Sequence, residues 1–132
     1  MGSHLDLKLA SHLHLKTPYL KQHLDENFTS NTVIILGDFN DELVDSTNIF
    51  LNFLTDSDYE FSDMHIAEGP PSEWSFPNWP SHLDHILIYN QYSETNLNTQ
   101  TLKLDNYLIG GWDKYDNYIS DHRPVGINIT FD

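Results

Sequence analysis

The sequence predicts an α/β fold, on three observations. Thr32-Val33-Ile34-Ile35-Leu36 is a continuous apolar, β-branched run that ends at Gly37, as a buried strand does. Apolar residues at helical spacing precede and follow it. Polar residues collect three times where an apolar run meets a loop, and open α/β sheets build their sites at such strand ends.

Leu5, Leu7, Leu9, Leu13 and Leu15 fall on odd positions with Ser11 the exception, so residues 5–15 read as a half-buried strand with His12 and His14 on its other face. Pro18 suits the first turn of a short connecting helix, whose inner face is Tyr19, Leu20, His23 and Leu24. The 32–36 run is expected to be buried on both faces. Ile49, Phe50, Phe53 and Leu54 then recur at helical spacing, with Asp45 or Ser46 as N-cap. A short strand is expected near Phe61 to His65, followed by an irregular loop reaching Pro80. Leu83 to Tyr89 and Val125 to Phe131 read as strands, Thr99 to Leu104 as a weaker one, and Asn106 to Ile119 as a long loop. No repeat or linker interrupts the chain, and a hydrophobic content of 39% over 132 residues is enough for one core.

Six basic residues against twenty acidic ones give a formal charge of −14. That balance repels polyanions and disfavours tight, non-specific binding of duplex DNA. It does not oppose a metal-dependent site, because a bound divalent cation becomes the largest local charge and reverses the field a phosphate feels. The chain has no Cys, so disulfides, thiolate metal sites and a Cys nucleophile are excluded. No apolar run reaches the length of a membrane span. Met1-Gly2-Ser3-His4 reads as a vector-derived remnant at positions 1–4.

The three polar junctions are Gly37-Asp38-Phe39-Asn40, Ser81-His82-Leu83-Asp84-His85 and Ser120-Asp121-His122-Arg123-Pro124. Asp38 and Asn40 lie two apart and point the same way if the chain stays extended. A carboxylate there can deprotonate a water and a neutral amide can donate to a phosphoryl oxygen; the tetrapeptide also reads as a plain turn. Asp121 offers an oxygen ligand suited to Mg2+ or Mn2+ and His122 an imidazole for a phosphate or its attacking water, or the pair is an ordinary turn before a strand. Asp84, among Leu83, Ile86, Leu87 and Ile88, would cost several kcal/mol unless paired, and His122 is its candidate partner. One of His12 and His14 faces the site, or both face solvent. His65 and His85 read as structural. Trp74, Phe76 and Trp79 could stack on a base, pack on lipid or form a small core of their own loop.

Taken in order, His14-Leu15-Lys16, Gly-Asp-Phe-Asn at 37–40, Ser-His-Leu-Asp-His-Ile at 81–86 and Ser-Asp-His-Arg-Pro-Val at 120–125 resemble the endonuclease/exonuclease/phosphatase superfamily, the deoxyribonuclease-I-like phosphoesterases. The resemblance implies a four-layered α/β sandwich with a mixed, mostly antiparallel sheet and flanking helices, residues 5–132 forming the carboxy-terminal portion of the domain. It implies an Mg2+- or Mn2+-dependent phosphodiesterase, nuclease or phosphatase. Asp38 would handle the nucleophilic water and also the metal, Asn40 the scissile phosphate, Asp121 the metal, and His122 the phosphate. Asp84 would orient His122, and His14 would be the earlier histidine, although His12-Leu13 offers the same dipeptide. The family's amino-terminal half, with an asparagine and a metal-binding glutamate, has no counterpart in this sequence. The resemblance therefore also implies a partner, either that missing half or a second copy, and leaves open a catalytically incomplete module that binds only metal or partner.

Overall fold

The computed structural model describes the backbone of residues 10–91 and 95–131 and the side chains of residues 16–91 and 96–131. Its elements are helix α1 (Ala10–Asn27), strand β1 (Val33–Asp38), α2 (Leu51–Leu54), β2 (Tyr59–Phe61), α3 (Met64–Ala67), β3 (Asp84–Tyr89), β4 (Thr95–Thr101), α4 (Gly111–Tyr118) and β5 (Val125–Phe131), with 3-10 turns at Pro71–Glu73 and Leu104–Tyr107. The fold is mixed α/β with antiparallel sheets.

Helix α1 corrects the first expectation. Residues 5–9 of the expected strand lie outside the described residues, and residues 10–15, His12 and His14 among them, are helical. Ala, Leu and Lys favour helix, and no β-branched residue precedes Thr17 to oppose it. Pro18 consequently stands inside the helix and not in its first turn. Lys21 to Asp25 at 2.7 Å and Gln22 to Glu26 at 2.8 Å line the outer face at i, i+4 spacing. Leu24 is buried on the inner face, and Thr17 Oγ1 donates to the Ile49 carbonyl at 2.9 Å.

The first sheet has the order β1-β3-β2. β1 runs antiparallel to β3, from Val33 opposite Tyr89 to Asp38 opposite Asp84, and β2 pairs with the other side of β3 through Tyr59 opposite Tyr89 and Phe61 opposite Leu87. Burial on both faces, expected of the 32–36 run, belongs instead to the central strand: Ile86, Leu87, Ile88 and Tyr89 are all buried. In β1, Val33 and Ile35 pack on the core while Ile34 is 39% and Leu36 66% exposed. The reason is position, since β1 lies at the sheet edge and meets the core on one face only.

That core gathers Leu24 of α1, Ile49 and Phe50 before α2, Phe53 within it, and Tyr59, Phe61, Leu87 and Tyr89 of the sheet. The Phe50 and Phe61 rings meet edge to face at 5.1 Å and Tyr59 stacks on Tyr89 at 4.5 Å, geometries worth about 0.5–1.5 kcal/mol each beyond their buried area. Neither Asp45 nor Ser46 caps α2, whose N-cap is Phe50. Asp45 Oδ1 instead accepts the Thr47 backbone N–H at 2.6 Å, closing a turn. The strand expected to reach His65 stops at Phe61, and Asp63 opens α3.

β4 and β5 form a second antiparallel pair, from Thr95 opposite Phe131 to Thr101 opposite Val125. β5 lies where the sequence puts it, while β4 starts earlier than expected because its Thr-Asn-Leu-Asn-Thr-Gln-Thr pattern is weakly apolar. The loop expected from Asn106 to Ile119 contains α4, entered through Gly110 (φ 102°) and Gly111 (φ 58°), a left-handed backbone that glycine takes without penalty. Trp112 and Tyr115, three apart, stack at 5.6 Å and seat the helix. The outer face of the first sheet and the β4–β5 pair share an open cleft whose apolar walls are Ile34, Ile88, Leu97, Ile129 and Phe131.

Phe50 is fully buried and Leu36 largely exposed, so the two provide an internal contrast. Phe50→Ala is expected to lower the unfolding free energy by roughly 3–5 kcal/mol and Leu36→Ala to change it by no more than about 0.5 kcal/mol, measured by urea titration followed by circular dichroism.

Candidate functional site

The register of β1 on β3 sets Asp38, the last residue of one strand, directly opposite Asp84, the first residue of the other. Paired residues share a face, so two carboxylates stand side by side at one end of the sheet, an arrangement that costs energy unless something positive joins them. His122, from the loop that enters β5, does so. Its Nδ1–H donates to Asp84 Oδ2 at 2.6 Å, and its Nε2 lies 4.0 Å from Asp38 Oδ2. The pairing anticipated from the cost of burying Asp84 is thus present.

Ser75 anchors this meeting of loops. Fully buried, its Oγ accepts the N–H groups of Leu83 at 3.1 Å and Asp84 at 3.2 Å, and its carbonyl accepts Arg123 N–H at 2.7 Å. The Arg123 guanidinium lies over Trp112 at 5.1 Å and grips Asp105 through two nitrogens at 3.0 and 2.9 Å. Phe76 lies against the His122 imidazole, ring centres 4.9 Å apart, while Trp74 is tied back to the Ile66 carbonyl at 3.0 Å and Trp79 is 78% exposed. Of the three aromatic residues, Phe76 is the one at the site. Phe76 was among the aromatic residues marked by the sequence, whereas Ser75 was not, being lost in a polar, proline-rich loop.

The chain does not stay extended after Asp38. Asn40 adopts a left-handed conformation (φ 51°) that Asn tolerates better than most residues, and its backbone N–H, at 2.8 Å, is what meets Asp38 Oδ1. The Asn40 residue itself is exposed. Asp121 is exposed beside His122 and outside the close group formed by Asp38, Asp84 and His122, whose ligand atoms lie within 4.8 Å of one another. His14 lies on α1 and not on a strand end.

Electrostatics distinguish the three groups. The hydrogen bond to Asp84 raises the His122 pKa against the opposing effect of its burial, and the charges of Asp38 and Asp121 add to the rise. Burial would lift Asp84, but the hydrogen bonds from His122 and Ser75 bring it below the ordinary carboxylate value. Asp38 is raised by burial, lowered by the Asn40 N–H, and raised again by Asp84 across the strands. A carboxylate with a raised pKa beside an imidazole whose pKa is also raised has the properties of a general base with a hydrogen-bond-donating neighbour. The ligand atoms of Asp38, Asp84 and His122 are close enough to share a metal ion when the imidazole is neutral, and such an ion would relieve the repulsion felt by Asp38.

A second polar cluster lies behind this one, in the interior. Asp63 Oδ2 accepts hydrogen bonds from His82 Nε2 at 2.9 Å and His85 Nδ1 at 2.7 Å, and its Oδ1 accepts the Ile86 N–H at 2.8 Å. All three side chains are buried. Burial alone would raise Asp63, yet these donors hold its pKa at about 2. The other histidine expected to be structural, His65, donates through Nε2 to the Thr99 carbonyl at 2.9 Å.

Comparison of the chain with known protein families, curated proteins and solved structures returned no match.

The raised pKa of His122 means that the fold binds its imidazolium. That contribution to stability is complete below the ordinary value of 6.5 and is lost as the pH rises through the raised folded value. Asp84→Asn is expected to bring the His122 pKa down, read from its ring-proton shifts in an NMR titration; an unchanged midpoint would remove Asp84 as the cause.

Proposed function

We propose that this chain is a metal-dependent phosphoesterase that hydrolyses phosphoester bonds with an activated water, and that its two sheets are parts of the deoxyribonuclease-I-like four-layered sandwich. One observation carries the reading. Asp38, Asp84 and His122, from three motifs far apart in the sequence, meet at one end of the sheet, with His122 between the two carboxylates. Motif order suggests the family, and this convergence gives the motifs a common chemistry.

In this reading Asp38, whose pKa is raised, takes the proton of a water attacking in line with the leaving oxygen. Asn40 donates its amide to a phosphoryl oxygen. Asp84 holds the His122 ring by Nδ1, leaving Nε2–H to face the charge that develops on the phosphate. Asp38, with Asp121 at the rim, would hold Mg2+ or Mn2+, which when bound supplies charge stabilisation to the phosphate and leaving group. A role for His14 rests on the family resemblance alone. The charge of −14 favours a small or lipid-like phosphoester over long duplex DNA.

A second reading is supported by the exposed outer face of β1. Ile34 and Leu36 offer apolar surface there, of the kind a further polypeptide covers. On that reading the chain binds a metal ion or a partner, and turnover requires the second component.

Hydrolysis of bis-p-nitrophenyl phosphate in the presence of Mg2+ or Mn2+, and its loss with EDTA, distinguishes the two. Asp38→Ala is expected to reduce turnover by roughly 10²-fold or more with little change in melting temperature, and His122→Ala to reduce turnover similarly while also lowering stability, because it leaves Asp84 without its partner. Near-parental activity in Asp38→Ala would refute the assigned base. Absence of metal-dependent turnover in the unaltered chain, with Mn2+ still bound by calorimetry, would leave the binding reading.

A further inference from the structure

His85 stands one residue beyond Asp84 in β3, so the alternation of the strand turns it away from the site and into the core. It is 1% exposed, and both of its ring nitrogens are engaged. Nδ1 lies 2.7 Å from Asp63 Oδ2, and Nε2 lies 2.7 Å from the backbone carbonyl oxygen of Asp41. A carbonyl oxygen can only accept, so Nε2 must carry a hydrogen. Asp63 Oδ2, set against Nδ1, ties the ring from its other side. In His82 the Ser75 N–H points to Nδ1 at 3.4 Å, leaving Nε2–H to donate to Asp63. The ring neighbours of His85 are His82 at 5.1 Å, Phe50 at 5.3 Å and Phe61 at 5.9 Å, which pack the imidazole in place.

The backbone it holds is the turn that builds the candidate site. Asp41 directly follows Asn40, whose left-handed backbone sends its N–H to Asp38 Oδ1. Two further ties hold the same turn: Phe39 N–H to the Leu83 carbonyl at 2.9 Å, and Ile49 N–H to Asp41 Oδ2 at 2.8 Å. Neither acts on the Asp41 carbonyl, so the tie closest to the peptide after Asn40 is the one from His85.

We propose that His85, tied to Asp63 through Nδ1 and donating through Nε2 to the Asp41 carbonyl, is a positioning residue that holds the Asp38–Asp41 turn in its strained form and so aims Asp38 at the reacting water. Its kinetic consequence rests on the phosphoesterase reading given above; its structural consequence does not. One strand thereby supports the site twice, Asp84 orienting His122 on one face and His85 fixing the Asp38 turn from the other.

Two measurements on the full chain test this. Long-range proton–nitrogen correlation of the 15N-labelled protein is expected to show a hydrogen on His85 Nε2; an unprotonated Nε2 would overturn the assignment. In His85→Gln, which keeps a donor, and in Asp63→Asn/His85→Gln, which removes the buried carboxylate should the single variant fold poorly, amide exchange is the second readout. The Asn40 amide is expected to exchange at least about ten-fold faster while the amides of β3 keep their protection. Equal acceleration throughout the sheet, or none at Asn40, would reduce His85 to a general core residue. With bis-p-nitrophenyl phosphate and Mn2+, the same variants should lose about ten-fold or more in kcat with KM nearly constant, as a misaimed base would. If the unaltered chain does not hydrolyse the ester, the phosphoesterase reading fails while the exchange result still decides the role of His85.

Discussion

The pairing register of β1 against β3 is the constraint on which the rest of the structure depends. With Asp38 opposite Asp84 and Gly37 opposite His85, one face of the two strands carries the carboxylates and the other carries the histidine that enters the core. A slip of one residue would turn one strand over relative to the other. It would carry either Asp38 or Asp84 to the core face, beside Phe50 and Phe61. Burial of one face alone therefore selects a single register, and the same selection creates the site.

Charge is resolved locally in this acidic chain. Arg123 is committed to Asp105, Lys21 to Asp25 and Asp56, and Asp63 to its two histidines. The carboxylates at the strand end have only His122 between them. Two carboxylates facing one imidazole leave this end of the sheet with an excess of negative groups.

Much of this was legible in the sequence, and the failures have identifiable causes. β3 and β5 were visible because their apolar runs are long and bounded by polar residues, and the Asp84–His122 contact was visible because an unpaired carboxylate in such a run is costly. The helix over His12 and His14 was missed because alternating leucines read as a strand when only period is counted, although leucine, alanine and lysine also favour helix. α4 was hidden by its two entry glycines and its polar composition, with Trp112 and Tyr115 the pair that seats it. Ser75 and Asp63 could not have been found locally. Their importance arises from residues many positions away, His82, His85 and Arg123, that the fold brings to them.

β1 pairs only with β3 among the described residues, so one row of its backbone N–H and C=O groups has no strand partner beside an outward-facing Ile34 and Leu36. Such an edge is a template for another extended chain. What opposes self-association is the long-range repulsion between copies that each carry −14, and this repulsion, unlike the edge, depends on the solvent. Salt shortens its reach and acid removes its source. The colloidal behaviour of the protein is therefore set by a competition between a fixed adhesive edge and an adjustable charge, with dilute, neutral, low-salt solution keeping the copies apart.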